Sequence, residues 1–293
     1  KNPLLAEKDY LECVILDRLF DDQYFKDNFV FPGGGTITKI YKLGNRIGQD
    51  IDLAYTDFED LAMPHGIKKL NNFKDKFLKL VFNDLNIKVN LILKEIGDFS
   101  VITDHQMREI KNMHISRALP TLYINYTSQL NPDITGCIEM EFIPRHYAQN
   151  SVDYGYITPY STGSQMDTKI PLVHYAQTFW DKVYALHTIS NCGVMRGGLS
   201  HHYYDVATLA PNVELKNTQQ MFHDIAEYQA RYTTRKIEQP KSVHEIQLMP
   251  SKDALLSLSS DYKNLSNRFF GKPKSWPDVL KTITSLDTTI KTL

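Results

Sequence analysis

Two aspartates separated by one residue carry the strongest chemical signal in the chain. Asp50 and Asp52 alternate with Ile51 and Leu53. Because successive side chains of a β-strand point to opposite faces, this alternation predicts a strand with both carboxylates on one face and both apolar side chains toward a core. Two carboxylates this close repel each other unless a cation lies between them. Mg²⁺ takes carboxylate oxygens as ligands and usually adds substrate phosphates, so the pair predicts a metal-binding strand.

A glycine-rich stretch lies upstream of the aspartates. Gly33, Gly34, Gly35 and Thr36 follow the apolar run 29–31 and lead into a short helical pattern. Glycine lets the backbone approach a ligand closely, and the bare N–H groups at a helix start bind phosphate. Neither stretch is specific alone, but their order and spacing together indicate nucleotidyl transfer, with the glycine stretch next to phosphate.

A third carboxylate is needed near the acceptor hydroxyl in a centre of this kind, and it should lie on a neighbouring strand. Residues 137–143 alternate as a strand does and place Glu139 and Glu141 on one face. Either glutamate fits the position, and a solvent-facing strand with ordinary glutamates fits the pattern equally well. Other elements that the apolar pattern predicts are strands at 87–93 and 121–127 and a helix over 4–20.

The second half of the chain has a helical pattern. Residues 150–168 are rich in Ser, Asp, Tyr, Gly and Thr and predict a loop, so we place a domain boundary after residue 168. Thr178 and Asp181 have the spacing of a helix capping box. On that helix Lys182 falls inside the apolar sector, where its stem packs and its ammonium reaches either water or a triphosphate. Residue types alone do not separate these two interpretations.

The composition excludes several classes of protein. The chain has 293 residues, 42% of them hydrophobic and 23% charged, as expected for one large or two ordinary globular domains. A formal net charge of −1 gives no global field for nucleic acid, so RNA contact depends on a local basic patch. No apolar run approaches the length of a membrane span. Because Cys13, Cys137 and Cys192 are far apart and the first residues lack a secretory pattern, the expected location is the reducing cytoplasm.

The glycine and aspartate motifs resemble those of the DNA polymerase β-like nucleotidyltransferase superfamily. The closer resemblance is to the AbiEii/AbiGii toxin family of abortive-infection and type IV toxin–antitoxin systems. FPGGGTITK at 31–39 is similar to that family's FKGGTSLSK, and RIGQDIDL at 46–53 is similar to its RFSEDIDL. The positions at which the chain departs from this pattern are Pro32, Gly35, Gly48 and Gln49.

Two segments in the second half extend the resemblance. TFWDKVYALH at 178–187 is similar to the family's TFWEK…LH, and SHHYYD at 200–205 is similar to its SRHYYD. The family's functional lysine then falls on Lys182 and its downstream aspartate on Asp205. His201 stands in place of an arginine, so the resemblance does not carry a phosphate contact to that position.

Two segments in the first half extend it as well. EFIPR at 141–145 is similar to the family's E-I-S-x-R stretch, which favours Glu141 over Glu139 as the third carboxylate. Glu7 to Tyr10 resembles the family's opening EKDYW, and the sequence assigns this segment no role beyond a charge pair on a helix surface.

The resemblance implies an α+β fold. A polymerase β-like nucleotidyltransferase domain, with a mixed sheet flanked by helices, would occupy 1–168, and a mostly helical C-terminal domain over 169–293 would close the cleft. The implied enzyme moves a nucleoside monophosphate from an NTP to an acceptor hydroxyl with Mg²⁺ or Mn²⁺ and releases pyrophosphate. The implied metal ligands are Asp50, Asp52 and Glu141, which with Lys182 and Asp205 are also the catalytic residues. The implied nucleotide-binding residues are Gly33, Gly34, Gly35, Thr36, Lys39, Arg46 and Lys182.

The acceptor that the resemblance implies is RNA, notably the 3′ end of tRNA, whose modification stops growth, and a cognate antitoxin is implied as a partner. Two alternatives stay open: transfer to a protein or small-molecule hydroxyl, and nucleotide binding without turnover. The nucleotide transferred and the oligomeric state stay open too. The residues that favour a local basic surface are Arg231, Arg235, Lys236, Lys241, Lys263, Arg268, Lys272 and Lys274.

Overall fold

Two compact units make up the described part of the protein. The computed structural model describes residues 2–48, 50–56, 67–111, 119–191, 197–232 and 240–293. The first unit comprises Lys1–Ile40 and Ile47–Val173, and the second comprises Tyr41–Arg46 and His174–Leu293. The sequence placed one boundary after residue 168, whereas the first unit continues to Val173 and the short segment Tyr41–Arg46 belongs to the second.

A mixed five-stranded sheet lies at the centre of the first unit. Its strands are β1 (Phe29–Val30), β2 (Asp50–Tyr55), β3 (Phe99–Thr103), β4 (Thr121–Thr127) and β5 (Thr135–Pro144). They lie in the order β1-β2-β5-β4-β3, and β2 runs parallel to β5 while the other neighbouring pairs are antiparallel. The predicted α+β fold with a mixed sheet is therefore confirmed.

The two central strands each have a buried face and a more accessible face. Ile51 and Leu53 of β2 are buried, whereas Asp50 is exposed and Asp52 is partly exposed. Along β5, residues 138, 140 and 142 are buried and the residues between them are partly exposed. Because a slip of one residue would send the apolar side chains to water, this core fixes the register of both strands.

Helices flank the sheet. The first, α1 (Pro3–Asp21), contacts both central strands and begins at an Asn2 side chain that accepts a hydrogen bond from the Leu4 N–H. The others in the described part of this unit are α2 (Gln23–Asn28), α3 (Gly34–Lys39), α4 (Ile67–Lys79), α5 (Asn86–Lys94) and α6 (Asp104–Lys111), with a π-helical turn at Leu80–Leu85 between α4 and α5.

The strand predicted at 87–93 is wrong, because α5 occupies this segment. Val89 and Leu93 are fully buried, whereas Ile87 and Leu91 are each 61% exposed. Burial at every fourth position has the period of a helix, but the two exposed apolar side chains complete an alternation of apolar residues at 87, 89, 91 and 93 that is typical of a strand. Tertiary packing, and not residue type, decided this element.

A hairpin interrupts the loop predicted at 150–168. Its antiparallel strands are β6 (Val152–Tyr156) and β7 (Lys169–Val173). The chain at Phe31, just before the glycine stretch, exchanges two backbone hydrogen bonds with β7, which fixes the hairpin beside that stretch. The sequence pattern does not predict β6, because its two tyrosines are exposed and a glycine separates them, so there is no alternation of apolar residues.

The regular secondary structure in the described part of the second unit consists of helices joined by loops. Its helices are α7 (Tyr175–Asn191), α8 (Ser200–Leu209), α9 (Leu215–Tyr232), α10 (Lys252–Asn264) and α11 (Trp276–Ile290). α7 packs against α8 and α9, and α8 packs against α10 and α11. The capping box predicted at Thr178 is wrong, because α7 begins at Tyr175 and Thr178 is buried inside it. No helix in the described ranges is both long and apolar enough to cross a membrane.

The segment Tyr41–Arg46 is built into the second unit by its backbone. The Asn45 N–H donates to the Tyr204 hydroxyl at 3.1 Å, and the Asn45 carbonyl accepts from the Phe270 N–H at 2.9 Å. These contacts place the residue that follows, Arg46, against α8. A short segment of the chain between the glycine stretch and the aspartate pair therefore belongs to the second unit.

A buried ion cluster joins α1 to the end of α3. Asp9 and Glu12 have no exposed side-chain surface, and both carboxylates contact the ammonium of Lys39, whose Nζ is 3.1 Å from Glu12 Oε2. Burial raises the pKa of Glu12 to about 7, although the charge of Lys39 opposes the rise. Glu12 Oε1 has no hydrogen-bond partner among the described residues, which costs less when the carboxyl is neutral.

This shift predicts a pH dependence of stability. Since the folded-state pKa of Glu12 is about 7 against an ordinary 4.5, the folded protein holds a proton that the unfolded chain has lost between these values. The free energy of unfolding should therefore fall as pH rises through this window, by up to about 1.4 kcal/mol per pH unit from this group. Glu12→Gln should flatten the slope, as measured by urea unfolding at several pH values. Equal slopes in the two proteins would contradict the assignment.

Candidate active site

Carboxylates line one face of the two central strands. In the parallel register of β2 with β5, Asp50 is opposite Glu139 and Asp52 is opposite Glu141. All four lie on the accessible side of an alternation whose other side is buried core. Adjacent strands are about 5 Å apart, so the sheet brings both glutamates next to the aspartate pair.

The glycine stretch lies against the second aspartate. Gly33 has φ +85°, a left-handed conformation that favours glycine, and a Cβ at this position would overlap Asp52 Oδ2. The turn is closed by Thr36, whose hydroxyl donates to the Gly33 carbonyl at 2.8 Å. A Cβ on Gly35 would lie 2.8 Å from the ring of Phe31, which explains why threonine is absent there. The two motifs that the sequence singled out are thus in contact.

The donor atoms on this face suit a hard divalent cation. Carboxylate oxygens are the ligands that Mg²⁺ and Mn²⁺ prefer. Within the described ranges, no three Asp, Glu, His or Cys side chains come together in an arrangement that could hold a metal ion. Mg²⁺, however, is usually held by one or two carboxylates while waters and substrate phosphates complete its octahedron. The aspartate pair beside the glycine turn therefore fits a cation that arrives with a nucleotide.

In the second unit, three residues from three separate motifs form one buried charge network. Both oxygens of Asp205 on α8 accept hydrogen bonds from Arg46, with Nε to Oδ1 at 3.0 Å and Nη2 to Oδ2 at 2.8 Å. Lys182 Nζ on α7 lies 3.5 Å from the same Oδ2. A carboxylate that receives a planar guanidinium in this bidentate way is held in one orientation.

The charges in this network determine the protonation state of Asp205. Burial alone would raise the pKa of Asp205, but Arg46 and Lys182 together lower it below its ordinary value. Asp205 is therefore ionised, with its lone pairs committed to two cations. In this arrangement the carboxylate positions Arg46 and Lys182 and is a poor proton acceptor.

The histidine that replaces the family's arginine carries no charge. His201 Nδ1 lies 2.7 Å from the Gly198 carbonyl. Burial, followed by the positive charges of Arg46 and Lys182, lowers the pKa of His201 well below its ordinary value. At neutral pH this side chain does not supply the cation that an arginine would, so Arg46 and Lys182 provide the positive charge near α8.

The structure places the three cations predicted for phosphate in different surroundings. The side chains of Lys39 and Arg46 are only 2% and 7% exposed and are held by buried carboxylates. A phosphate could reach either cation only by displacing a carboxylate, and the phosphate contacts of Lys39 and Arg46 stay predictions. Lys182 is the most accessible of the three, at 13%.

Only some of the residues predicted to form a basic surface lie within the described ranges. Lys241, Lys263, Lys272 and Lys274 are exposed and Arg268 is partly exposed. Arg235, Lys236 and the side chain of Arg231 lie outside the described residues, as does the family departure at Gln49.

Sequence reasoning missed the role of Asp9 and Glu12. The sequence assigns the segment Glu7 to Tyr10 only a charge pair on a helix surface and singles out nothing at Glu12, whereas Asp9 and Glu12 are both buried against Lys39. A signal was present, because Asp9, Glu12 and the buried Cys13 share the helical spacing of the apolar stripe of α1. Acidic residues inside an apolar stripe indicate a buried partner of opposite charge.

Comparison with known proteins agrees with this geometry. Residues 14–284 match the sequence family described as the nucleotidyl transferase AbiEii toxin of type IV toxin–antitoxin systems. The structure is similar to MenT4, a nucleotidyltransferase toxin from Mycobacterium tuberculosis, with a TM-score of 0.54 and 15% identity over 99% of this chain and 86% of that one, a likeness that shows a shared fold. No curated protein sequence matches the chain. Because the family match spans the aspartate pair, Lys182 and Asp205, the protein belongs to the AbiEii family of nucleotidyltransferase toxins.

Proposed function

We propose that this protein transfers a nucleoside monophosphate from an NTP to an acceptor hydroxyl and releases pyrophosphate. The observation that carries the proposal is the contact of Gly33 with the carboxylate of Asp52. It brings a stretch of bare backbone, suited to phosphate, beside an oxygen donor suited to the cation that accompanies phosphate. Membership of the family supports the same chemistry.

The first unit contributes the metal ligands and the acceptor-activating group. Asp50 and Asp52 would hold Mg²⁺ or Mn²⁺, which when bound draws charge from the phosphoryl oxygens. Glu141 is the proposed third carboxylate, because it is in register with the aspartate that touches the glycine turn, whereas Glu139 is in register with Asp50. Glu141 would orient the acceptor hydroxyl and accept its proton. The backbone of the glycine stretch and the Thr36 hydroxyl would contact phosphate.

The second unit contributes positive charge. Lys182 would act as a point charge that stabilises the negative charge developing on the phosphates. Asp205 would act on the reaction through Lys182 and Arg46, because its lowered pKa makes it a weak base. Arg46 is fixed by both of its contacts to that carboxylate and adds a second, immobile charge.

The proposed acceptor is the 3′ end of a tRNA, in the cytoplasm, with growth inhibition as the consequence and a cognate antitoxin as the restraining partner. The name of the family supports the toxin and antitoxin parts of this proposal. The exposed lysines at 263, 272 and 274 provide local positive charge on a chain whose net charge is −1.

Removal of either aspartate should abolish transfer. Asp50→Asn and Asp52→Asn each lose a cation ligand while keeping the side-chain shape, so transfer of label from an α-labelled NTP should fall by about 100-fold or more. Asp98→Asn, at an exposed position outside the site, is the matched control and should keep full activity.

The same assay identifies the acceptor. Label should appear in purified tRNA and be removed by RNase. Label removed by protease would indicate a protein acceptor, and NTP binding without any pyrophosphate release would indicate a module without turnover. Equal labelling by the parent and both aspartate variants would contradict the proposed site.

Gly33→Ala should separate backbone strain from loss of the site. The alanine costs about 1–2 kcal/mol at a positive φ and also pushes against Asp52, so transfer should fall by about 100-fold. Gly163→Ala is the matched control, because Gly163 has φ +69° but open space where a Cβ would lie. The control should show only the part of the stability loss that comes from backbone strain, with normal activity. A Gly33→Ala variant as active as the control would contradict the role of the turn.

Substitution of Asp205 and substitution of Lys182 in the charge network of the second unit should have different effects. Asp205→Asn leaves buried cations without their counter-charge and should lower the free energy of unfolding by about 3 kcal/mol. Lys182→Met keeps the bidentate pair and should cost about 1 kcal/mol or less, yet lower kcat by about 100-fold. Urea unfolding and label transfer on the same preparations test both statements. A Lys182→Met variant with normal kcat would remove Lys182 from the proposed chemistry.

A further inference from the structure

Asp9 connects three parts of the first unit. Its Oδ1 contacts the ammonium of Lys39 at the end of α3. Its Oδ2 accepts hydrogen bonds from the backbone N–H groups of Tyr160 at 2.8 Å and Ser161 at 3.4 Å, in the segment that follows β6. The side chain has no exposed surface. One buried carboxylate on α1 therefore ties together two elements that are distant from it in sequence.

α3 is buried from Gly35 to Lys39, and specific contacts hold each of its two ends. The helix has six residues, which is too few to hold an orientation without tertiary contacts. At its start, the glycine turn packs against Asp52 and Phe31. At its end, Lys39 reaches the buried carboxylates, and the Lys39 carbonyl accepts a hydrogen bond from the Thr158 N–H at 2.9 Å. Because the helix is so short, a displacement of one end also moves the other end.

We propose that Asp9 is a positioning residue for the glycine turn: by holding Lys39, it sets where Gly33 lies against Asp52. The inference deepens the proposed function and rests on it for what the turn binds. It also gives a role to the Glu7–Tyr10 segment, for which the sequence offered none. Lys39 thereby acts inside the protein, through α3, and not as a phosphate contact.

Charge explains why this tie is specific. The ammonium of Lys39 is 2% exposed and contacts the side chains of both Asp9 and Glu12. A buried cation that loses one counter-charge moves toward water or toward its remaining partner, because an uncompensated charge is unfavourable in the interior. Either movement shifts the last residue of α3. An asparagine at position 9 has a single acceptor oxygen, which can serve either Lys39 or the N–H groups of Tyr160 and Ser161.

Asp17 offers a matched control on the same helix. Its Oδ1 accepts a hydrogen bond from the Thr168 N–H at 2.8 Å, so it ties α1 to the chain just before β7. It shares with Asp9 the helix, the residue type and a backbone donor, but it does not contact Lys39. Asp17→Asn therefore reports what the loss of a carboxylate tie on α1 does to stability alone.

The test compares Asp9→Asn, Lys39→Arg and Asp17→Asn with the parent. Amide hydrogen exchange is measured across the glycine turn, and kcat and KM for the NTP are measured separately. For Asp9→Asn we expect exchange of residues 33–36 to be about tenfold faster and KM for the NTP to be about tenfold higher. Asp17→Asn should leave both unchanged. If Asp9→Asn does not fold, Lys39→Arg keeps the charge with a longer, planar head and should show the same two effects.

The outcomes separate this inference from the proposed function. Unchanged exchange at residues 33–36 in Lys39→Arg and in any folded Asp9→Asn would overturn the positioning role, whatever the activity. An increase of similar size in Asp17→Asn would overturn it too, because the effect would then be general to α1. A parent that transfers no label would contradict the proposed function, while the exchange data would still decide whether Asp9 positions the turn.

Discussion

The parallel pairing of β2 with β5 is the constraint on which the candidate site depends. That pairing sets Asp50 and Asp52 beside Glu139 and Glu141, with the apolar residues between them buried in the opposite face. Four carboxylates on adjacent strands repel each other, and the core does not allow the strands to slip and separate them. An accessible acidic face held in this way favours a divalent cation, and the bare backbone at Gly33 lies directly against it.

In both units, buried carboxylates hold basic side chains in place. In the second unit Asp205 orients Arg46 and Lys182, and in the first unit Asp9 and Glu12 hold Lys39. Buried ion pairs of this kind contribute little net stability, since desolvation offsets most of the attraction. Their value lies in orientation, because a paired cation in the interior has one position and an exposed one has many.

Some of the departures from the family pattern have a physical explanation. Gly35 leaves room for the ring of Phe31, and a threonine would meet that ring. His201 is uncharged, since burial and two neighbouring cations lower its pKa, so it does not replace the positive charge of an arginine. Nothing in the described structure explains Pro32. The departures leave unchanged the glycine pair at Gly33 and Gly34, the aspartate pair and Lys182, which carry the proposed chemistry.

Local patterns in the sequence determined much of this protein. Alternation along β2 and β5 predicted which side chains share a face, because the period of a strand is a property of the backbone. The short motifs around the glycine stretch and the aspartate pair, extended by those around Lys182 and Asp205, predicted the family. Residue type did not determine the helix at 87–93, the hairpin at β6 and β7, or the partners of Lys39, Arg46 and Asp205. Those depend on contacts between residues far apart in the chain, and only the tertiary structure decides which apolar faces are covered and which charges meet in the interior.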